Sequence, residues 1–300
     1  MTVIGFVGLG VMGKPMARNV SRVFKVLVYD LDPERVQQTL TEKPEGSGSL
    51  HAADSVRAVG ASADIVVLSL PGSPVVRSVV QGEGGLAECM RPGSIVIDTS
   101  TTEPAVIQEL HSLLAASGVE MLDAPVSGGE RGAIDASLSI MVGGSEPVFQ
   151  QCREVLNTMG STIVHVGEIG MGEVAKLINN LIVGATFAVV AEGFALGVRS
   201  GLDPAVLYAA IRNGWAGSRV LDVSAKAMLE RNFTPGGTVD IHWKDLGYAL
   251  SLASAEDVPT PVTAMTYEVF KAARAAGKGA SAQPAIIQLW EDLLKLQVGG

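Results

Sequence analysis

The sequence predicts an α/β domain followed by an all-α domain, and three features carry that reading. Through the first half, short β-branched runs alternate with amphipathic stretches, the rhythm of a mainly parallel sheet with helices on both faces. Several runs, Ile65-Val66-Val67-Leu68 among them, are apolar at every position, as strands covered on both sides require. From Gly172 onward the apolar spacing is helical almost throughout.

In chain order, the strand-like runs are Val3–Val7, Val26–Tyr29, Ile65–Leu70, Ser94–Asp98, Glu120–Leu122, Leu138–Val142 and Ile163–Val166. Amphipathic stretches such as Glu103–Ala116 and Glu146–Leu156 lie between them. Gly170–Arg199 reads as one long helix, apolar nearly all round and therefore expected to be buried. Asp203-Pro204, Pro235-Gly236-Gly237, Pro259 with Pro261, and Gly277–Gly279 cut the remainder into shorter helices. The predicted domains are residues 1–167 and 168–300, joined by the long helix. The cleft between two such domains is the expected site.

Composition narrows the function classes. Apolar residues make up 47% of the 300 and charged residues 18%, an ordinary globular balance with a sizeable core and no extended disorder. The net charge is −9 and no block of Lys and Arg occurs, which argues against a nucleic-acid partner. An acidic surface still accommodates an anionic cofactor, because backbone N–H groups and a helix N-terminus hold it locally. Cys89 and Cys152 stand far apart and are read as free thiols. His51, His111, His165 and His242 are scattered, so no metal site is expected. Met1-Thr2-Val3 runs straight into an apolar strand without a basic region. The most apolar helical stretch, Leu181–Ala191, is followed by Glu192 and is read as too short to span a bilayer. A soluble, cytoplasmic protein without a membrane partner is the expectation.

Gly8-Leu9-Gly10-Val11-Met12-Gly13 has the spacing G-x-G-x-x-G. Alone that pattern is weak, since glycine-rich turns are common. Its context is specific: the strand Val3–Val7 precedes it, and an amphipathic segment opening at Lys14-Pro15 follows. Gly8 permits the tight turn, Gly10 lets the backbone approach a pyrophosphate, and Gly13 allows helix to pack on strand. The strand Val26–Tyr29 then ends at Asp30, about 20 residues beyond Gly8, where a carboxylate accepts hydrogen bonds from the adenosine ribose and repels a 2′-phosphate. The first domain is therefore read as a Rossmann-type dinucleotide-binding domain, with NAD expected and NADP the alternative. Arg35, just beyond, would reach a 2′-phosphate only if its loop bent back.

Two further constellations bear chemistry. Ser127-Gly128-Gly129 is placed just beyond a strand's C-terminal end, where its N–H groups and hydroxyl can form an anion nest; a plain flexible turn is the competing reading. Lys176 and Asn180, four residues apart, share one face of the long helix. A lysine there is either partly buried and able to exchange a proton, or snorkels to the surface with Glu173 as a salt-bridge partner.

With these residues in view, the chain resembles the β-hydroxyacid dehydrogenases, the group of 3-hydroxyisobutyrate dehydrogenase, tartronate semialdehyde reductase and glyoxylate/succinic semialdehyde reductases. The resemblance spans nearly the whole chain. Four segments carry it: Gly5 to Gly13; Asp123-Ala124-Pro125-Val126-Ser127-Gly128-Gly129; Gly170-Met171-Gly172 through Lys176 to Asn179-Asn180; and Lys244-Asp245-Leu246. It implies reversible hydride transfer between NAD(P) and a small β-hydroxy acid or its semialdehyde, threonate-like sugar acids included. It implies that Lys176 is the catalytic acid/base, that Ser127, Gly128, Gly129 and Asn180 bind substrate, and that Leu70, Pro71, Thr99, Ser100 and Lys244 join the glycine-rich turn in contacting cofactor. It also implies a homodimer or homotetramer with the helical domain at the interface. Trp215 and Trp243 are candidates to line the cleft, although an aromatic in a helical domain is usually core.

The chain departs from the family in three places. Ala136-Ser137 replaces a common Gly-Thr pair on what reads as a strand edge. The segment 277–284 lacks the acidic residue many members carry, and Glu130-Arg131 would reshape or charge the pocket. Two rival readings are an imine reductase, which typically lacks a lysine at the position of Lys176, and a non-catalytic dinucleotide sensor, which has no need of a proton shuttle.

Overall fold

The computed structural model describes residues 2–41, 49–234 and 236–300. Pro235, part of one predicted breakpoint, lies outside them. The chain divides into two compact units, Met1–Lys176 and Leu177–Gly300.

The first unit opens with β1 (Val3–Val7), α1 (Gly13–Val20), β2 (Lys25–Tyr29), α2 (Pro33–Thr41) and β3 (Leu50–Ala52). It continues with α3 (Val56–Ser62), β4 (Ile65–Leu68), α4 (Ser73–Gln81), α5 (Leu86–Cys89), β5 (Ile95–Asp98), α6 (Pro104–Ala115) and β6 (Glu120–Asp123). It closes with β7 (Val126–Ser127), α7 (Gly129–Ile134), β8 (Leu138–Gly143), α8 (Glu146–Asn157), β9 (Gly160–Gly167) and the start of α9 (Met171–Arg199). Among the described residues the strands form one sheet in the order β3-β2-β1-β4-β5-β6-β8-β7, with β9 paired to β8. β1 is parallel to β2 on one side and to β4 on the other, with Phe6 opposite both Val28 and Val67. The order therefore reverses beside β1, and in open α/β sheets ligands bind at the strand C-termini of such a switch point.

Alternation along the strands builds two cores. Ile4, Phe6, Val67 and Ile97 face one side, where Met16 of α1 and Phe149 of α8 cover them. Val7, Val66, Leu68 and Val96 face the other, under Leu110 and Leu114 of α6. This is why β4 is apolar at every position, and β5 at every position but its last, Asp98: neither face meets water.

The second unit takes the rest of α9 with α10 (Pro204–Ile211), α11 (Arg219–Leu229), α12 (Val239–Ala255), α13 (Pro261–Ala273) and α14 (Ile287–Leu294). Phe187, Phe194, Leu246, Phe270 and Ile286 form its core. Asp203, Ser218 and Thr238 cap α10, α11 and α12 by accepting backbone N–H groups through their side chains.

Four expectations need correction. First, the strand β7 includes Ser127 and pairs antiparallel with β8, Ser127 opposite Ser139. A two-residue strand has no period to read, and its pairing is set by a partner further along the chain. Second, Ala136 sits in a turn before β8, at φ 53°, and not on a strand edge. Third, α9 is not buried all round: Ile178, Ile182, Val189 and Leu196 are 48%, 58%, 61% and 68% exposed. Composition reports how apolar a helix is, not how many neighbours its own chain supplies. Fourth, α9 as a whole is long and apolar enough to cross a membrane by length and composition, because the helix continues beyond Leu181–Ala191 at both ends. Its side chains Phe187, Ala191 and Phe194 nevertheless belong to the core of the second unit.

Candidate active site

The glycine-rich turn joins β1 to α1. Gly8 N–H donates to the Tyr29 carbonyl at 2.9 Å, and Leu9 N–H donates to Asp30 Oδ2 at 2.7 Å. The turn is thus tied to the end of β2 by backbone and carboxylate together. A Cβ on Gly13 would fall on the Gly8 carbonyl oxygen, whereas one on Gly10 would meet nothing within 4 Å. Gly13 is glycine so that the helix can close on the turn. At Gly10 the missing side chain keeps open the space a pyrophosphate would fill, beside the N-terminus of α1. The residues present fit a dinucleotide.

Asp30 has a second role. Its Oδ1 accepts Asp32 N–H at 2.9 Å and lies 3.8 Å from Arg35 Nη1, while Arg35 Nε lies 3.4 Å from Asp32 Oδ2. The guanidinium is held between two carboxylates, so the end of β2 keeps a net negative character. A carboxylate offers about four lone-pair positions, which leaves Asp30 capacity for a ribose hydroxyl.

Leu70 and Pro71 follow β4, and Thr99 and Ser100 follow β5; the structure brings these segments together. Leu70 N–H donates to Ser100 Oγ at 2.9 Å, and Thr99 donates through both N–H and hydroxyl to the Leu68 carbonyl. Ser100 N–H in turn reaches Asp98 Oδ1 at 3.0 Å. These side chains pin the two loops to each other at the C-terminal edge of the sheet.

Ser127 leads into Gly128 and Gly129, which have φ of 139° and 65°. Both values lie where a Cβ is strained, so the two glycines are required for the chain to turn from β7 into α7. On the next residue back, the Val126 carbonyl accepts a hydrogen bond from Lys176 Nζ at 2.6 Å. Lys176 is only 9% exposed, and Glu173 is fully buried. The snorkelling alternative is therefore wrong for this chain: the amine turns inward to the strand that carries Ser127.

Within the second unit, Asn180 Nδ2 donates to Asp245 Oδ2 at 2.8 Å and accepts at Oδ1 from Asn179. Asp245 Oδ1 lies 3.0 Å from Lys244 Nζ, which also sits 4.9 Å from the Tyr248 ring centre. His242 Nε2 lies 3.0 Å from the Asn180 carbonyl. Sequence reasoning picked out Asn180 and Lys244 but gave no role to Asp245 or His242, which hold them. Their signal was present as a buried polar pair one turn apart on an amphipathic helix, where core packing is the usual reading. Trp243 stacks on Tyr267 and under Arg274, while Trp215 is fully exposed.

Known proteins resemble the chain over nearly its whole length. Residues 3–167 match the family described as the NAD binding domain of 6-phosphogluconate dehydrogenase. Residues 170–290 match that described as NAD-binding of NADP-dependent 3-hydroxyisobutyrate dehydrogenase. The chain is 36% identical over 299 residues to the 2-(hydroxymethyl)glutarate dehydrogenase of Eubacterium barkeri, covering 99% of this chain and 97% of that one. It is 37% identical over 278 residues to the 3-hydroxyisobutyrate dehydrogenase of Pseudomonas aeruginosa, covering 90% and 91%. Among solved structures, a 3-hydroxyisobutyrate dehydrogenase from Salmonella typhimurium superposes with a TM-score of 0.86 at 31% identity, covering 96% of this chain and 100% of that one. The fold and the dinucleotide turn define a nicotinamide-dependent oxidoreductase. The chain belongs to the β-hydroxyacid dehydrogenase family.

Proposed function

We propose that this protein interconverts a small β-hydroxy acid and its semialdehyde, with NAD as the preferred cofactor and Lys176 as the acid/base. The observation that carries the reading is the seat of Lys176: its amine is almost out of water and is hydrogen-bonded to Val126, the residue before Ser127. A proton-transfer group is thereby placed one residue from a turn suited to a carboxylate. Hydroxymethyl and semialdehyde acids related to 3-hydroxyisobutyrate are the substrate class, since the acid and the reacting carbinol must be close together.

When bound, the dinucleotide takes up the hydride in oxidation and returns it in reduction. Ser127 Oγ and the N–H groups around Gly128 and Gly129 hold the substrate carboxylate. Asn180, fixed by Asp245, orients the hydroxyl. Lys176 as the free amine accepts the carbinol proton as the hydride leaves, and as the ammonium returns it to the carbonyl oxygen in the reverse direction. Leu70, Pro71, Thr99 and Ser100, tied together at the sheet edge, would help to hold the cofactor, and Lys244 is the further residue proposed to contact it. The first unit carries the dinucleotide turn together with Ser127 and Lys176, and the second carries Asn180, Lys244 and the surface for assembly. We take it to act as a soluble protein in the cytoplasm; the place of Phe187, Ala191 and Phe194 in the core of the second unit argues for α9 as a core helix and against a membrane span.

The test is direct. Purified protein mixed with NAD and a panel of α- and β-hydroxy acids is followed at the absorbance of the reduced cofactor, with tartronate semialdehyde and a cyclic imine run in reverse with NADH. Turnover confined to acids with a β-hydroxyl supports the reading. Turnover of cyclic imines alone, or binding of NAD with no turnover of any acid, would replace it with the imine reductase or sensor alternative.

A further inference from the structure

We infer that Asp123 is a positioning residue for the reaction: its carboxylate grips the first turn of α9 and so fixes where Lys176 stands. The inference rests on the reading of Lys176 given above. Asp123 ends β6 and is fully buried. Its Oδ1 accepts Gly170 N–H at 2.8 Å, and its Oδ2 accepts Glu173 N–H at 2.8 Å. The N–H groups at the start of a helix lack intrahelical partners, and a carboxylate that accepts two of them anchors the turn in both position and direction.

The backbone around Asp123 is cut to receive that turn. A Cβ on Gly172 would lie 2.5 Å from the Met141 carbonyl oxygen and 2.6 Å from that of Asp123, and one on Gly143 would strike Asp123 Oδ1. Two glycines therefore clear the space in which helix, β6 and β8 meet. The same short segment grips α9 twice. Asp123 holds the backbone at 170 and 173, and three residues later the Val126 carbonyl holds Lys176 Nζ. The segment runs on into Ser127. Helix and anion-binding turn are thus set against one another by a four-residue stretch, and a shift of about 1 Å at a reacting group costs on the order of 100-fold in rate.

Burial raises the Asp123 carboxyl from its ordinary 3.8 to about 6, opposed by the Gly170 and Glu173 N–H groups and assisted by Asp98 across the β5–β6 pair. Of the titratable residues on the elements packed against it, Asp98 of β5 acts on it as a like charge, while Glu173 lies on the turn it grips and Lys176 further along α9 points to the Val126 carbonyl; Met141 and Gly143 of β8 bring no charge. The sign follows. Above about pH 6 the group is a carboxylate that accepts both N–H groups, and below it a proton occupies part of that capacity.

The experiment compares wild type, Asp123→Asn and Lys176→Ala, measuring kcat and KM for the hydroxy acid from pH 5 to pH 9 and NAD binding by fluorescence. Asn matches the protonated acid in shape and has one acceptor where the carboxylate has two. The expected result at pH 8 is a kcat roughly 10- to 100-fold lower in Asp123→Asn, a smaller change in KM, and an NAD Kd within about twofold of wild type. The kcat ratio of wild type to Asp123→Asn should shrink as pH falls through about 6, because wild type then carries the neutral group too. A residue that served folding alone would not give a ratio that moves with pH. If Lys176→Ala is inactive while Asp123→Asn matches wild type at pH 8, or its ratio is flat with pH, the positioning role is overturned and the reading of Lys176 stands. If Lys176→Ala turns over normally, that reading itself has failed. Should Asp123→Asn not fold, amide hydrogen exchange of residues 170–173 in wild type, corrected for the intrinsic rate, decides the point. Protection must fall between pH 7 and pH 5, and constant protection would refute the grip.

Discussion

Lys176 is a long cationic side chain on the first part of an apolar helix, and a residue of that kind is costly to bury without partners. That it lies 9% exposed against the Val126 carbonyl ties its value to chemistry more than to packing. Lys176→Ala is expected to lower kcat by about 10²- to 10⁴-fold, the usual share of a general acid–base group, with NAD binding unchanged in fluorescence titration. Lys176→Arg should fail nearly as far, because a guanidinium does not release its proton near neutral pH. Turnover close to wild type in either variant would reduce Lys176 to a structural role. Ala136 presents the opposite case, a residue whose cost is plain and whose chemistry is nil. It holds φ 53° in the turn between α7 and β8, where the Cβ of an L-residue crowds the following carbonyl. Ala136→Gly is expected to stabilise the protein by about 0.5–1 kcal/mol, read as a higher urea midpoint at unchanged slope. A lower midpoint would mean that the alanine methyl packs usefully.

At the scale of elements, β1, the glycine-rich turn, α1 and the end of β2 act together. Asp30 faces two ways: its Oδ2 fastens the turn through Leu9 N–H, and its Oδ1 takes part in the Asp30–Arg35–Asp32 arrangement. Two carboxylates around one guanidinium leave the site unfriendly to a 2′-phosphate, so kcat/KM should be higher with NAD than with NADP. Asp32→Ser, which leaves the Leu9 bond intact, should raise the NADP-to-NAD ratio without loss of NAD activity. Asp30→Ser should raise that ratio further while lowering activity with both cofactors, since the turn is released. A wild type that prefers NADP tenfold, about 1.4 kcal/mol, would show instead that Arg35 swings out to bind the phosphate. These elements were legible in the sequence because each is local. A strand, a turn of fixed glycine spacing and a helix start lie within the first 20 residues, and every one has its own pattern. The strand β7 was not legible, because two residues carry no period and their partner Ile140-Ser139 lies beyond an intervening helix.

For the whole molecule, the exposed side of α9 bears on assembly. Ile178, Ile182, Val189 and Leu196 fall on one helix face, and Val189 and Leu196 line an apolar groove with Trp290 and Leu294. Contiguous apolar surface of this kind marks an interaction site, and a homo-oligomer joined through the helical unit is expected. Light scattering should give a dimer or tetramer at micromolar concentration, and Val189→Asp with Leu196→Asp should yield smaller species. A fully active wild-type monomer would refute this. The sequence by itself determined the α/β-then-α order, the dinucleotide turn, Asp30, and the Lys176–Asn180 pair on one helix face, because periodicity and short motifs record interactions between residues close in the chain. Only the tertiary structure decided that Lys176 turns inward to Val126, that Asp123 grips the backbone at 170 and 173, that Asp245 holds Asn180, and that Ile178, Ile182, Val189 and Leu196 on one side of α9 are exposed. Each of these depends on which distant segment arrives at a given surface, and a side chain's spacing along its own helix or strand carries no record of what will meet it there.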